Sequence, residues 1–141
     1  MNDPINMSTE YLAIAAAVVL VILVLVSTIV KRRPKMLNQQ KYKQRWDEIQ
    51  QSCANKDMWP LAVINADKLL DDALKTRKFK GKTMGERLVS AQHSLSGNDD
   101  VWFGHKMRNR LVHEEVDSLK KRDVIRALAG FRQALKDLGA L

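Results

Sequence analysis

A single cysteine, Cys53, stands in a chain of 141 residues. One thiol excludes an intramolecular disulfide and a thiolate metal cluster. With no partner at short spacing to activate it, its expected work is to fill space on an apolar helix face, which agrees with a reducing compartment. A glycine-rich phosphate loop is also missing: Gly81 and Gly85 in RKFKGKTMGERLVSA lack the G-x-x-x-x-G-K-[ST] spacing, and no hydrophobic strand precedes them. Strand alternation is scarce, and neither a repeat nor a low-complexity tract is present. Positive charge is absent from the first thirty residues, since all 24 Lys and Arg lie after Val30.

That cation-free region carries its own signal. From Tyr11 to Val30 it reads YLAIAAAVVLVILVLVSTIV, which as a helix extends about 30 Å and matches the hydrocarbon core of a bilayer. A soluble core helix rarely needs to be apolar on every side, so a transmembrane helix is expected in preference to an interior helix or a hydrophobic hairpin. The leader MNDPINMSTE holds Asp3 and Glu10, whereas the exit KRRPK holds Lys31, Arg32, Arg33 and Lys35. A cleaved signal peptide would carry its cations ahead of the apolar run. The expectation is therefore a single-pass anchor of the cell membrane, with a short leader (1–10) outside, the bilayer partner held by 11–30, a basic juxtamembrane linker (31–37) and a cytoplasmic domain. Beyond Val30 the 24 cations face 14 of the 16 acidic residues, a balance of +10. Such a charge suits lipid headgroups, RNA or an acidic protein alike.

Pro34 is expected to close the anchor, leaving enough chain for one modest core, and the pattern in 38–141 is helical throughout. The fold class expected is all-α: one transmembrane helix followed by a small bundle. A first bundle helix, from about Asn38 to Ala54, sets Tyr42, Trp46, Ile49 and Cys53 on one face. A second, starting near Asp57 with Pro60 in its first turn, carries Leu61, Ile64, Leu70 and Leu74 as its inward stripe, with Trp59 as a core anchor. Thr83 and Glu86 fit a capping box for a short helix packing through Leu88 and Val89. The last helix, from about Lys120 to Leu138, aligns Val124, Leu128, Phe131, Leu135 and Leu138 and stops at Gly139.

Two groups of residues carry chemistry. Asp67 and Asp71 lie four apart on one helix face, a spacing open to acid/base or metal work and equally to pairing with arginine or lysine. The stretch HKMRNRLVHEE, His105 to Glu115, belongs to a helix that Asp99 or Asp100 can cap. At about 100° per residue from Arg108, His105 falls near 60°, Asn109 near 100° and His113 near 140°. One broad sector thus combines a guanidinium, an amide and two imidazoles, while Lys106 and Arg110 project towards water. Arg108 suits either a salt bridge to an aspartate of the second bundle helix or a site; His113 suits either a neutral helix end near Glu114 and Glu115 or a proton-transfer group.

RNRLVH, Arg108 to His113, resembles the motif of the HEPN families, small helical bundles that include metal-independent ribonucleases and noncatalytic nucleotide- or RNA-associated domains. The stretches LAVINADKLLDDALKTRKFKGKTMGERL and VWFGHKMRNRLVHEE are similar to a membrane-tethered bacterial group with a HEPN-like cytoplasmic part, and the similarity covers about Tyr42 to Leu138. The resemblance implies a homodimer whose motif helices meet, with Arg108 on the phosphate, Asn109 orienting polar groups and His113 moving the proton. His105, Asp67 and Asp71 are possible auxiliaries, and neither a metal nor a cofactor is required. It implies attack of an RNA 2′-hydroxyl on the adjacent phosphate, leaving a cyclic phosphate and a 5′-hydroxyl. Glu115 stands where some HEPN subfamilies have a tyrosine, and its charge opposes RNA. The function expected is binding of RNA or a nucleotide-containing ligand, with or without ribonuclease turnover. The competing expectations are a noncatalytic, dimerising module that recruits a cytoplasmic protein partner, and a sensor of anionic lipid.

Overall fold

The computed structural model describes the backbone of residues 4–32, 35–114 and 118–141, with the side chains of 4–8 and 31–32 left out. Among the described residues there are six α-helices and no strand, in two compact units, 1–34 and 35–141. Helix α1 (Pro4–Arg32) is the first unit. It starts inside the segment expected to be a separate leader, and its stretch Thr9–Val30 is long and apolar enough to cross a membrane, with none of it buried against protein. The expected closing position, Pro34, lies outside the described residues.

The second unit is a bundle of α2 (Gln39–Ser52), α3 (Trp59–Thr76), α4 (Met84–Ala91), α5 (Asn98–His113) and α6 (Lys121–Asp137). Asn38 starts α2 by accepting from the Lys41 amide at 3.1 Å, and the helix then buries Tyr42, Trp46 and Ile49 at steps of four and three. Cys53 follows at its end, half-buried, and burial pushes its thiol up, as suits a space-filling role. The half-buried Trp59 packs on the core while its indole N–H donates to the Cys53 carbonyl at 3.0 Å.

Helix α3 packs against each of the other four. Its buried face is broader than the expected stripe: Ala62, Ala66 and Ala73 are fully buried beside Val63, Leu69, Leu70 and Leu74, whereas Leu61 is 45% exposed. Small residues let neighbouring helices approach closely, so the inward face is marked by alanine as much as by leucine. Likewise Val89 on α4 is exposed and Leu88 is buried. Thr83 caps α4 by accepting from the Glu86 amide at 3.2 Å, and Glu86 reaches back to the Lys82 amide at 2.6 Å, one residue earlier than the usual box.

Helices α5 and α6 form the most extensive pairing. The residue before α5 is Gly97 rather than an aspartate: the helix starts at Asn98 and takes Asp99 and Asp100 into its first turn, where Asp100 pairs with Arg126 of α6 at 2.7 Å and that guanidinium also lies 4.3 Å over the Phe103 ring. Gly139, at φ +75°, ends α6 as expected, with the Ala140 amide donating to Leu135 O at 2.8 Å.

Asp137 ties the loop before α5 to the end of α6. Burial pushes its carboxyl up, but hydrogen bonds from the Ser96 amide, the Gln133 side chain and the Ser96 hydroxyl outweigh this and hold it below the usual carboxylate range. A folded-state pKa below the unfolded one stabilises the fold above about pH 4 and loses that contribution as pH falls through the folded value. Thermal melts from pH 2.5 to 7 should therefore show Asp137→Asn less stable than the parent at neutral pH, with the gap closing at the acid end; a gap independent of pH would contradict this role.

Candidate functional site

A carboxylate taken out of water needs compensating partners. Asp67, 2% exposed on α3, finds them on α5. His105 Nδ1 donates to Asp67 Oδ1 at 2.8 Å, and Arg108 Nε lies 3.4 Å from Oδ2. These partners are three apart on α5, so both face α3 across one turn. The Arg108 contact is a charge contact rather than a hydrogen bond, since its buried Nε has no hydrogen-bond partner among the described residues.

Asn109 completes the arrangement. Arg108 Nη1 donates to Asn109 Oδ1 at 3.0 Å, and Asn109 Nδ2 lies 3.4 Å from His105 Nε2. Asp67, His105, Asn109 and Arg108 thus form a closed ring of side chains. Its polarity is set by the two ends: arginine only donates and an ionised carboxylate only accepts. The amide must therefore turn its oxygen to Arg108 and its nitrogen to the imidazole. That assignment places the ring hydrogen on Nδ1 and leaves Nε2 as an acceptor. Trp102 packs edge-on to the imidazole with centroids 5.9 Å apart.

The ring opens into a cleft of about 410 Å³ whose walls are Asp67, Lys68 and Asp71 of α3, Thr83, Met84 and Gly85 at the start of α4, and His105, Arg108 and Asn109 of α5. Gly85 keeps the imidazole edge open: a Cβ there would stand 3.6 Å from the Trp102 ring and 3.9 Å from His105 Nε2. Asp71 is held separately. Arg87 approaches its Oδ1 through Nε at 2.7 Å and Nη2 at 2.6 Å, and Lys75 its Oδ2 at 2.7 Å. The lining itself is balanced, Lys68 and Arg108 against Asp67 and Asp71, and Lys75 and Arg87, which do not line the cleft, add positive charge behind Asp71. Each aspartate of the spaced pair has its own cations, and among the described residues no group of three or more His, Cys, Asp or Glu is placed to hold a metal ion.

Of the residues singled out by sequence, Arg108, Asn109, His105, Asp67 and Asp71 come together here. His113 does not: it is the exposed last residue of α5 and lies outside the walls of this cleft. Glu115 lies outside the described residues. Lys106 and Arg110 are exposed, as expected. Arg87 and Gly85 were missed as site residues. Arg87 is sixteen positions from its partner Asp71, beyond any helical repeat, and Gly85 contributes only the absence of a side chain. The chain matches no protein-family model, no curated protein and no solved structure.

Proposed function

We propose that the second unit is a HEPN-like domain, tethered by α1 to the cytoplasmic face of the cell membrane, that binds the phosphate of RNA or of another nucleotide-containing ligand in the α3–α4–α5 cleft. The observation that carries this reading is the ring of Asp67, His105, Asn109 and Arg108, which orients a guanidinium and an imidazole at one opening with Lys68 beside it. Arg108 retains 26% side-chain exposure beside its buried Nε, so its outer edge is open to a phosphoryl oxygen. The orientation, amino end outside, rests on the charge contrast between MNDPINMSTE and KRRPK.

The metal-independent ribonuclease form of this proposal extends that cleft across a second copy of the chain. The 2′-oxygen forms a bond to phosphorus as the P–O5′ bond breaks; a base takes the 2′-hydroxyl proton and an acid returns one to the departing O5′. Arg108 offsets charge on the phosphoryl oxygens and Asn109 orients them. His113, exposed at the helix end, serves as the proton-transfer group in a cleft shared with a second copy. The noncatalytic interaction reading draws instead on an apolar groove between α2 and α6, where Trp46 and Cys53 face Ile125, Leu128 and Ala129.

The test is RNA binding and cleavage by the full chain in detergent with a chelator present. Arg108→Ala should weaken binding at least about tenfold, equivalent to roughly 1.4 kcal/mol. His113→Ala should keep binding and lose formation of cyclic-phosphate ends. If the parent and both variants bind RNA and mononucleotides alike, the cleft reading is wrong and the interaction module takes its place.

A further inference from the structure

We propose that the loop joining α3 to α4 is a sequence-independent phosphate track that feeds a single-stranded RNA backbone into the cleft, an inference that rests on the cleft binding a nucleotide phosphate. From Lys75 to Lys82 the chain reads KTRKFKGK, five cations and no acid. Among the described residues, Arg77, Lys80 and Lys82 pair with no carboxylate, and the side chains of Lys80 and Lys82 are exposed.

The loop backbone is pinned while the side chains of Lys80 and Lys82 stay exposed. Lys78, at φ 63°, turns the chain out of α3, and the Phe79 amide returns to Leu74 O at 3.0 Å. The Lys80 amide donates to Ser90 Oγ at 3.2 Å, the Lys82 amide to Glu86 Oε2 at 2.6 Å, and Arg87 Nη1 to Gly81 O at 2.7 Å. Gly81 is needed for that turn: at φ +150°, a Cβ would lie 2.6 Å from the Arg87 nitrogen. Holding the loop in advance reduces the ordering lost when a flexible polyanion binds.

Position selects the ligand. Lys82 directly precedes Thr83, which lines the cleft, and Arg87 joins the loop at Gly81 to the cleft wall at Asp71. A backbone running along the loop therefore arrives where Arg108 waits. Phe79, the only aromatic in the run, is half-buried against the core, so the loop offers no stacking surface for bases and no apolar wedge for a bilayer. Its contacts are to phosphate charge alone, without base selectivity.

The experiment places the full chain in nanodiscs of phosphatidylcholine and measures binding of UMP and of a twelve-nucleotide oligouridylate across a salt series. Lys80→Gln/Lys82→Gln should weaken the oligonucleotide at least about fivefold and flatten its salt slope by roughly 1.4, from about 0.7 per lost phosphate contact on a single strand, with a much smaller loss for UMP. Lys80→Glu/Lys82→Glu should deepen the same length-dependent loss, whereas Arg108→Ala should weaken both ligands. Equal losses for the two ligands, or an unchanged slope, overturn the track. Binding of both ligands that ignores Arg108→Ala overturns the cleft reading itself. Capture of separate phosphatidylserine vesicles through Lys80 and Lys82 without competition from RNA would make the loop a lipid-facing surface and end the proposal.

Discussion

Asp67→Ala is expected to destabilise the bundle by about 3 to 5 kcal/mol, the range for leaving one member of a buried ion pair without its partner. The removed carboxylate is 3% exposed, and it faces a His105 side chain that is 10% exposed and an Arg108 side chain that is 26% exposed. After truncation the imidazole N–H has no protein acceptor and the guanidinium no counter-charge. Asp67→Asn keeps an oxygen for His105, but loses the charge and turns an amide NH2 towards Arg108 Nε, so its loss should be smaller than that of alanine without vanishing. Asp72→Ala is the control from the same helix: its side chain is 46% exposed, and its contacts to Tyr42 at 3.0 Å and Arg45 at 3.4 Å sit near water, where such pairs contribute about 0 to 1 kcal/mol. Denaturant unfolding of the chain, followed by tryptophan fluorescence, should order the variants Asp67→Ala, Asp67→Asn, Asp72→Ala from most to least damaging. Equal effects at positions 67 and 72 would show that the ring contributes nothing beyond ordinary surface pairing.

The same residues show how far the sequence reaches. Regular steps of three and four made the helices legible, because burial follows that period: Tyr42, Trp46 and Ile49 on α2, and Val124, Phe131, Leu135 and Leu138 along α6 and its cap, are all buried. The pattern failed where size stood in for direction. Leu61 and Val89 are exposed, and the alanines of α3 carry its inward face. A salt bridge between Arg108 and an aspartate of the second bundle helix was among the alternatives the sequence offered, since spacing on each helix survives folding; that the aspartate is Asp67 rather than Asp71 was not legible. His113 fell in the same broad sector by angle, yet five residues turn it about 140° from Arg108 and carry it roughly one and a half turns further along the helix. The Arg87–Asp71 pair and the Asp100–Arg126 pair join helices, and nothing local announces either.

The interhelical contact least visible in the sequence supplies the other large effect. Gly104 of α5 and Gly130 of α6 are points of close approach between these helices: a Cβ on Gly104 would lie 2.6 Å from Phe131 Cζ, and one on Gly130 would lie 2.6 Å from the Asp100 carbonyl carbon. Replacing a mid-helix glycine by alanine gains about 0.8 to 1 kcal/mol of helix propensity. Overpacking costs about 1 to 3 kcal/mol and occasionally more, and here the obstacles are a ring with 0% exposure and a backbone carbonyl, neither of which can swing aside. The clash therefore wins, and Gly104→Ala and Gly130→Ala should each lose up to about 2 kcal/mol net. Gly85→Ala reverses the balance: its new methyl meets only ordinary contacts at 3.6 and 3.9 Å, so the propensity gain should survive as a small stabilisation. The opposite signs expected from one chemical change at three helical glycines are measurable by denaturant unfolding, and a stabilised Gly130→Ala would mean that α5 and α6 pack further apart than these contacts require.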